Sequence, residues 1–401
     1  MSRCCGPAYS GNSTANRNCR RNTPSETGNG TRTKRKGVRG VTDGERTGYG
    51  VISVRDYRKK TEAVFRGLGF SPEESRIITG VLLAADLFGV ESHGISRIMK
   101  YVRLVREGSV NRKAEALILK ETPVSALLDA QSAMGQLVSE RAMGLAIEKA
   151  RKAGIGMVQV RHSNHFGIAG YYALKAAEQG LIGVAMTNTQ AIMVPTFSAE
   201  ALLGSNPIAV AFPAGEVPFL FDAAATVVTR GKLELYDKLG KELPSDWAVS
   251  HTGTVSRDPG EVLRDIREKR GGGILPAGGA GEEMAGYKGY GFGMICELMT
   301  GVLSGGTTAY HKQEKGDTSH AFYAVSPELF GDAGEIRRAA QRLMDEIHAA
   351  RPAEGQKQIF IAGEKEFRRR AERTENGIPL SLKVLKELDS LLAETAGKEQ
   401  L

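Results

Sequence analysis

Residues 89–101 read Gly-Val-Glu-Ser-His-Gly-Ile-Ser-Arg-Ile-Met-Lys-Tyr, with His93, Arg97 and Tyr101 spaced four apart. On a helix that spacing puts an imidazole, a guanidinium and a phenol on one face, and Ser92 suits the N-cap. An Arg offers a planar fork to a carboxylate, and a His moves a proton near neutral pH. The set suits a small, oxygenated substrate bearing a carboxylate. A solvated polar helix face has the same spacing, so other parts of the chain must weigh in.

A second polar cluster is Ser163-Asn-His-Phe-Gly-Ile-Ala-Gly170. It falls between an expected strand at 157–160, with a polar loop from Arg161, and an expected helix at 169–179. Strand ends in α/β folds are favoured ligand sites. His165 is a second acid/base candidate, and Gly167 and Gly170 let backbone amides approach a ligand; a turn with a capping Asn reads the same way. Gly204-Ser-Asn-Pro207 is a tight polar turn. Asp222-Ala-Ala-Ala-Thr226 places a carboxylate at a strand end, followed by small residues that leave room for a flat ligand. In Gly286-Tyr-Lys-Gly-Tyr-Gly291, Lys288 opens a helix. The helix dipole opposes a cation there, so an anionic neighbour is expected, a phosphate among the candidates.

The elements that must position these residues alternate between helix and strand, which argues an α/β fold. Ser71-Pro-Glu-Glu74 combines an N-cap, a proline at the first helical position and a capping-box Glu. The helix it opens buries Ile77, Ile78, Val81, Leu82 and Ala85 and ends near Gly89. A second helix carries Ile95, Ile98, Val102 and Val105 and stops at Gly108. Helices are also expected over 136–152, 334–350 and 380–393, and strands over 182–186, 208–212, 219–222 and 358–361. No internal repeat stands out.

The chain has 401 residues, is 41% hydrophobic and carries a net charge of +8. Residues 1–48 hold ten Lys/Arg and three Asp/Glu, a net of +7, so residues 49–401 carry +1. The basic balance is a property of the tail, which argues against a body that binds nucleic acid. The absence of an apolar run of ~18 residues argues against a membrane span. Three of the four cysteines lie in the tail, without zinc-site spacing, and Cys296 stands alone in an apolar run. That usage fits a reducing cytoplasm. The tail, residues 1–50, is expected to be disordered; our hypothesis is that it is translated sequence upstream of the true start near Val51. Peptides from it in a mass spectrum of the native protein would reject that idea.

No Gly-x-Gly-x-x-Gly follows a strand, and no Walker loop, His-Glu-x-x-His or Gly-x-Ser-x-Gly occurs. The seven histidines are scattered, so no metal is expected. The residues alone thus lead to an α/β enzyme candidate with a His/Arg site and an anion site, and leave the cofactor open.

The ordered motifs resemble the type-2 malate/L-lactate dehydrogenase family from about residue 52 to the C-terminus. They are Glu91-Ser-His-Gly94 with Arg97 and Tyr101; Ser163 to Gly167; Thr187-Asn-Thr189; Gly204 to Pro207; Asp222 to Thr226 with Arg230-Gly-Lys232; Leu243-Pro244 with Trp247-Ala248; Leu275-Pro276; Lys288 to Gly291; and Gly363-Glu364 with Glu366. The resemblance implies a nicotinamide-binding sheet domain that is not of the Rossmann kind, which accounts for the missing glycine fingerprint. It implies a second domain built from N- and C-terminal helical segments. The expected division is 51–125 and 306–401 for the substrate and dimerisation domain, and 126–305 for the nicotinamide domain. It further implies that His93 and Arg97 line the substrate site, with Tyr101 beside them, and that His165 lies near the nicotinamide. Thr189, Asp222, Ala223, Ala224, Lys288, Gly363 and Glu366 match cofactor-contacting positions. Tyr287, Ala362 and Ala225 depart from the family's usual His, Pro and Thr.

The expected activity is hydride transfer between a 2-hydroxy acid, malate first and lactate second, and NAD or NADP, in a homodimer. His93 is the first choice for the acid/base and His165 the second. Reduction of a cyclic imine carboxylate, or a sulfolactate- or diketogulonate-type dehydrogenase, is the alternative within the family. Lys100, Arg161 and Lys232 are candidates for a second cation.

Overall fold

The computed structural model describes residues 48–312 and 316–396. The expected tail lies outside them up to residue 47. Strand β1 (Tyr49–Ile52) is the first element among the described residues and starts two residues ahead of the expected start near Val51. Helices α1 (Val54–Gly67), α2 (Pro72–Leu87) and α3 (Ile98–Arg106) follow, then β2 (Leu117–Glu121), β3 (Ser125–Asp129), α4 (Gly135–Ala153), β4 (Ile155–Ser163), α5 (Ala169–Ala177), β5 (Ile182–Thr187), β6 (Ile208–Phe212) and β7 (Phe219–Ala223). Next come α6 (Arg230–Lys238), β8 (Ala248–Val249), α7 (Pro259–Glu268), β9 (Gly273–Ile274) and α8 (Gly286–Glu297). The described chain closes with β10 (Thr318–Val325), α9 (Ala333–Ala349), α10 (Glu364–Asn376), β11 (Ile378–Ser381) and α11 (Leu382–Ala396).

Seven strands form one sheet in the order β2-β3-β4-β10-β5-β6-β7. Only β3 and β4 run parallel; every other neighbouring pair is antiparallel. Consequently the C-terminal ends of β3, β4, β5 and β7 and the N-terminal ends of β6 and β10 share one edge of the sheet. The polar clusters at 163–170, 187–189, 204–207 and 222–226 all sit on that edge. The fold is mixed α/β, and its sheet draws β2 and β10 from outside the 126–305 span expected for it.

Helices α4 and α5 pack on the sheet through small residues: Ala142, Ala146, Ala150, Ala173 and Ala176 are buried in the main core. Gly154 closes α4 in the left-handed region, at φ 81°, as a C-terminal glycine does. A second core joins Tyr57, Phe65, Ile78, Leu82, Ile98 and Val102 to Ile378, Leu380 and Leu388. The two ends of the described chain therefore meet, and β1 pairs with β11. A third, small core around β8 and β9 contains Leu233, Leu243, Val262 and Ile266.

The capping box at Ser71 is formed in full: Ser71 Oγ accepts from Glu74 N and the Glu74 carboxylate accepts from Ser71 N. Residues 358–361 are not a strand. They pass the sheet edge with a single ladder-like bond near them, Leu220 N to Ala362 O. Strand β4 runs on through Arg161 and His162, which were expected to form a loop; His162 bends it at φ 52°.

Candidate active site

The four-residue spacing of His93, Arg97 and Tyr101 does not reflect one helix. Glu91–His93 and Ile95–Arg97 are separate 3-10 turns, broken at Gly94, and only Tyr101 lies on α3. The break has a local cause. A Cβ on Gly94 would lie 2.0 Å from Asp86 Oδ1, so the backbone can pass Asp86 only without a side chain. Ser92 is not an N-cap. Its hydroxyl instead lies 2.9 Å from His93 Nδ1, and its carbonyl accepts from Arg97 Nε at 2.6 Å. That bond fixes the guanidinium while leaving its terminal nitrogens for a ligand.

The turns nevertheless bring the sequence candidates together. His93 and His165 stack with ring centres 5.5 Å apart. The buried Tyr101 hydroxyl is 2.6 Å from His165 Nδ1, and Gly167 N donates to the same nitrogen at 3.3 Å. A backbone N–H can only donate, so Nδ1 carries no proton and the ring proton resides on Nε2. Burial holds the Tyr101 phenol well above its usual pKa, which keeps it a donor. Burial, then Arg97 and Lys100, push the His93 pKa down to about 4. His165 is likewise lowered, by burial and then by His93, Lys100 and Arg97. Both rings are therefore neutral at pH 7.

A cleft of about 540 Å³ opens over these rings. His93, Arg97, His165 and Thr189 line it together with Lys100, Arg103, Arg230 and Lys312, and with the carboxylates of Glu234 and Asp317. Of the candidate second cations only Lys100 is there: Arg161 is paired with Asp129, and Lys232 lies over the Tyr236 ring. Lys312, which the sequence reading did not single out, is buried; its ammonium donates to Asn188 O, and burial drops its pKa to about 7.

Buried polar groups brace the cleft floor. Glu297 accepts from Asn188 and Asn206 side chains, each at 2.8 Å, and from Ala309 N. Asn206 Oδ1 in turn accepts from Thr189 N, and Thr189 Oγ1 accepts from Ser205 N. Behind His165, the Phe166 ring stacks on His320 at 4.6 Å and 3°. His320 Nδ1 is 2.8 Å from Thr187 Oγ1 and its Nε2 is 2.9 Å from Ser163 Oγ. Neither Glu297 nor His320 carries a local motif, so their roles were not legible beforehand.

Asp222, Ala223, Ala224, Gly363 and Glu366 do not line that cleft; they gather at the outer edge of β7. Gly363 opens α10 at φ 94°, so close to Leu220 that a Cβ would meet it at 2.9 Å. The Asp222 carboxylate turns in to accept from Gly170 N at 2.7 Å. Desolvation, reinforced by Glu366, raises its pKa to about 6. Through Gly170 this second locus joins the His165 loop. Lys288 is exposed over the Tyr287 ring, 5.9 Å from its centre, and no carboxylate pairs with it among the described residues. The Ala223-Ala224 stretch, the bare Gly363 and the free Lys288 fit a flat ring and an anionic phosphate, as a dinucleotide requires.

The sheet thus carries a His/Arg cleft on one edge and a small-residue locus beside β7. The family described as malate/L-lactate dehydrogenase matches residues 52–389. The malate dehydrogenase of Pyrococcus abyssi is 42% identical over 332 residues, 82% of this chain and 90% of the relative. The L-sulfolactate dehydrogenase of Methanocaldococcus jannaschii is 34% identical, covering 86% of this chain and 97% of the relative. Among solved structures, malate dehydrogenase from Entamoeba histolytica superposes with a TM-score of 0.83 at 32% identity, over 87% of this chain and 98% of that one. The chain belongs to the malate/L-lactate dehydrogenase family.

Proposed function

We propose that the enzyme interconverts a 2-hydroxy dicarboxylate, malate first, and its 2-keto acid, using NAD or NADP. The observation that carries this reading is the cleft's charge: five basic and two acidic side chains surround two neutral, stacked imidazoles. One carboxylate needs one fork, which Arg97 supplies. With Arg230 already paired to Glu234, Lys100 is the cation that matches a second anionic group better than the methyl of lactate.

In hydroxy-acid oxidation, Arg97 holds the C1 carboxylate and so fixes the orientation of C2. His93, neutral at pH 7 and oriented by Ser92, takes the hydroxyl proton. His165, with its proton on Nε2 and its Nδ1 held by Tyr101, donates a hydrogen bond to the same oxygen. Asp222, Ala223, Ala224, Gly363, Glu366, Lys288 and Thr189 are the residues that would hold the cofactor. A nicotinamide held there would accept the hydride from C2 in oxidation and return it in reduction. In the reverse direction, the substrate's negative charge beside Arg97 offsets the cations that depress His93, so proton donation becomes easier once the keto acid is bound.

The assembly we propose is a homodimer. Phe292, Ile295, Leu298 and Val302 expose an apolar stripe along α8 and the turn after it, each about half accessible. A contiguous patch of this kind on one helix marks an interaction surface. The described cysteine, Cys296, is buried and unpaired, consistent with the cytoplasmic setting we favour, and no described helix is long and apolar enough to cross a membrane.

Following absorbance at 340 nm with oxaloacetate, pyruvate, sulfopyruvate and piperideine-2-carboxylate, each with NADH and with NADPH, tests the reading. Oxaloacetate is expected to lead pyruvate by at least tenfold in kcat/KM. A preference for pyruvate would reject the dicarboxylate assignment, and a preference for the imine would reject the hydroxy-acid assignment.

A further inference from the structure

We infer that Asp86 is the positioning residue of the 91–97 loop, holding His93 and Arg97 in place through the backbone N–H of Ile95. The inference rests on the proposed function only for its consequence in catalysis; the structural claim stands on the contacts. Asp86 lies near the end of α2 and is fully buried. Its Oδ2 accepts two bonds, from Tyr57 OH of α1 at 2.6 Å and from Ile95 N at 2.7 Å. Ile95 opens the turn that carries Arg97, and it is separated from His93 by Gly94 alone. Gly94 is the residue whose missing Cβ admits the carboxylate, with Oδ1 2.0 Å from where that Cβ would be. The loop is thus shaped around the Asp86 side chain from both sides.

A second tie reaches the same loop. Arg373 of α10 donates to the Asp86 carbonyl and to the Glu91 carboxylate at 3.0 Å. Helices from the N- and C-terminal parts of the chain therefore clasp the loop at Asp86, Glu91 and Ile95. Asp86 Oδ1 is buried with no hydrogen-bond partner. A buried carboxylate is costly unless something needs it, and the Ile95 amide is what it serves. Burial raises the Asp86 pKa to about 7, Glu91 adds to the rise, and the Tyr57 and Ile95 bonds with Arg373 oppose it.

Asp86 touches neither the cleft nor a reacting atom, so the test must separate positioning from general stability. Hydrogen exchange by mass spectrometry on the full chain reads the loop directly. In Asp86→Ala the peptide covering residues 90–98 should exchange at least tenfold faster, with strands at 155–163 and 182–187 unchanged. Turnover of the preferred 2-keto acid should lose at least tenfold in kcat/KM, while NADH affinity by fluorescence stays within twofold. Asp86→Asn keeps an oxygen for Ile95 N and should recover most of both losses. Gly94→Ala perturbs the same contact from the loop side and should reproduce the exchange signature if Asp86→Ala does not fold. Unchanged exchange at 90–98, a uniform rise over the whole chain, or an Asn variant no better than Ala overturns the inference. A wild-type enzyme without activity on any 2-keto acid overturns the proposed function instead, and the exchange data still decide the role of Asp86.

Discussion

The two imidazoles share one environment but are held differently. His165 is locked by donors on its Nδ1 side, whereas His93 is held only by Ser92 and faces Arg97 and Lys100. His93→Ala is therefore expected to lower kcat by about a hundred- to ten-thousand-fold, the usual worth of general acid–base help, with KM changed less than threefold. Steady-state kinetics check this, and retained turnover would move the role to His165. The depressed His93 pKa fixes a pH dependence. A base must be unprotonated, so kcat/KM for hydroxy-acid oxidation should stay level from pH 8 down and fall only as pH approaches about 4. In Lys100→Gln one of the depressing charges is gone, and the acid limb should move up in pH. A profile that does not shift would remove Lys100 from the account and leave burial and Arg97. These residues were legible because type and spacing together suggested carboxylate chemistry. Asp86 and His320 were not, because a lone buried titratable residue among apolar neighbours looks like any other core position; Lys312 was not, because the polar run His311 to Lys315 looks like a solvated surface.

At the level of elements, the sequence located several pieces for sound reasons and mislaid others for equally physical ones. The Ser71 capping box is a local signal, read entirely from neighbours a few residues apart, and it is where it was expected. The helix assumed for 93–101 failed because periodicity carries no information about Gly94 meeting Asp86, a contact made between separate elements. Strand β10 went unread because it is buried on both faces, so its residues show no alternation. Its His320 ties stability to acidity. Burial lowers its pKa to about 3, below the unfolded value near 6.5. Between those values the unfolded chain binds the extra proton, so stability is complete above about pH 6.5 and is lost as pH falls, by up to ~1.4 kcal/mol per unit. His320→Gln should flatten the slope of urea midpoint against pH between 6.5 and 4, even where it lowers the midpoint at pH 7. Equal slopes in the two proteins would remove His320 from the account.

On the scale of the whole molecule, a near-neutral body carries a concentrated cationic cleft, so charge is spent locally rather than spread. Keto-acid kcat/KM should consequently fall as salt rises from 0.05 to 0.5 M, because screening acts on the cleft's field. The apolar stripe on α8 leads to a further expectation. Phe292→Asp with Ile295→Asp should shift the protein to a monomer in light scattering; if the wild type is already monomeric, or the pair stays associated, that surface is not the interface. One feature of the sheet reaches beyond catalysis. Strand β10 enters between β4 and β5, more than a hundred residues after either has left the ribosome, and β11 then closes on β1. Until those late residues emerge, β4 and β5 lack the strand that joins them, and their facing edges have no partner. Unpaired strand edges are templates for pairing with other chains, so the interval before β10 arrives is when the chain most needs protection from its neighbours.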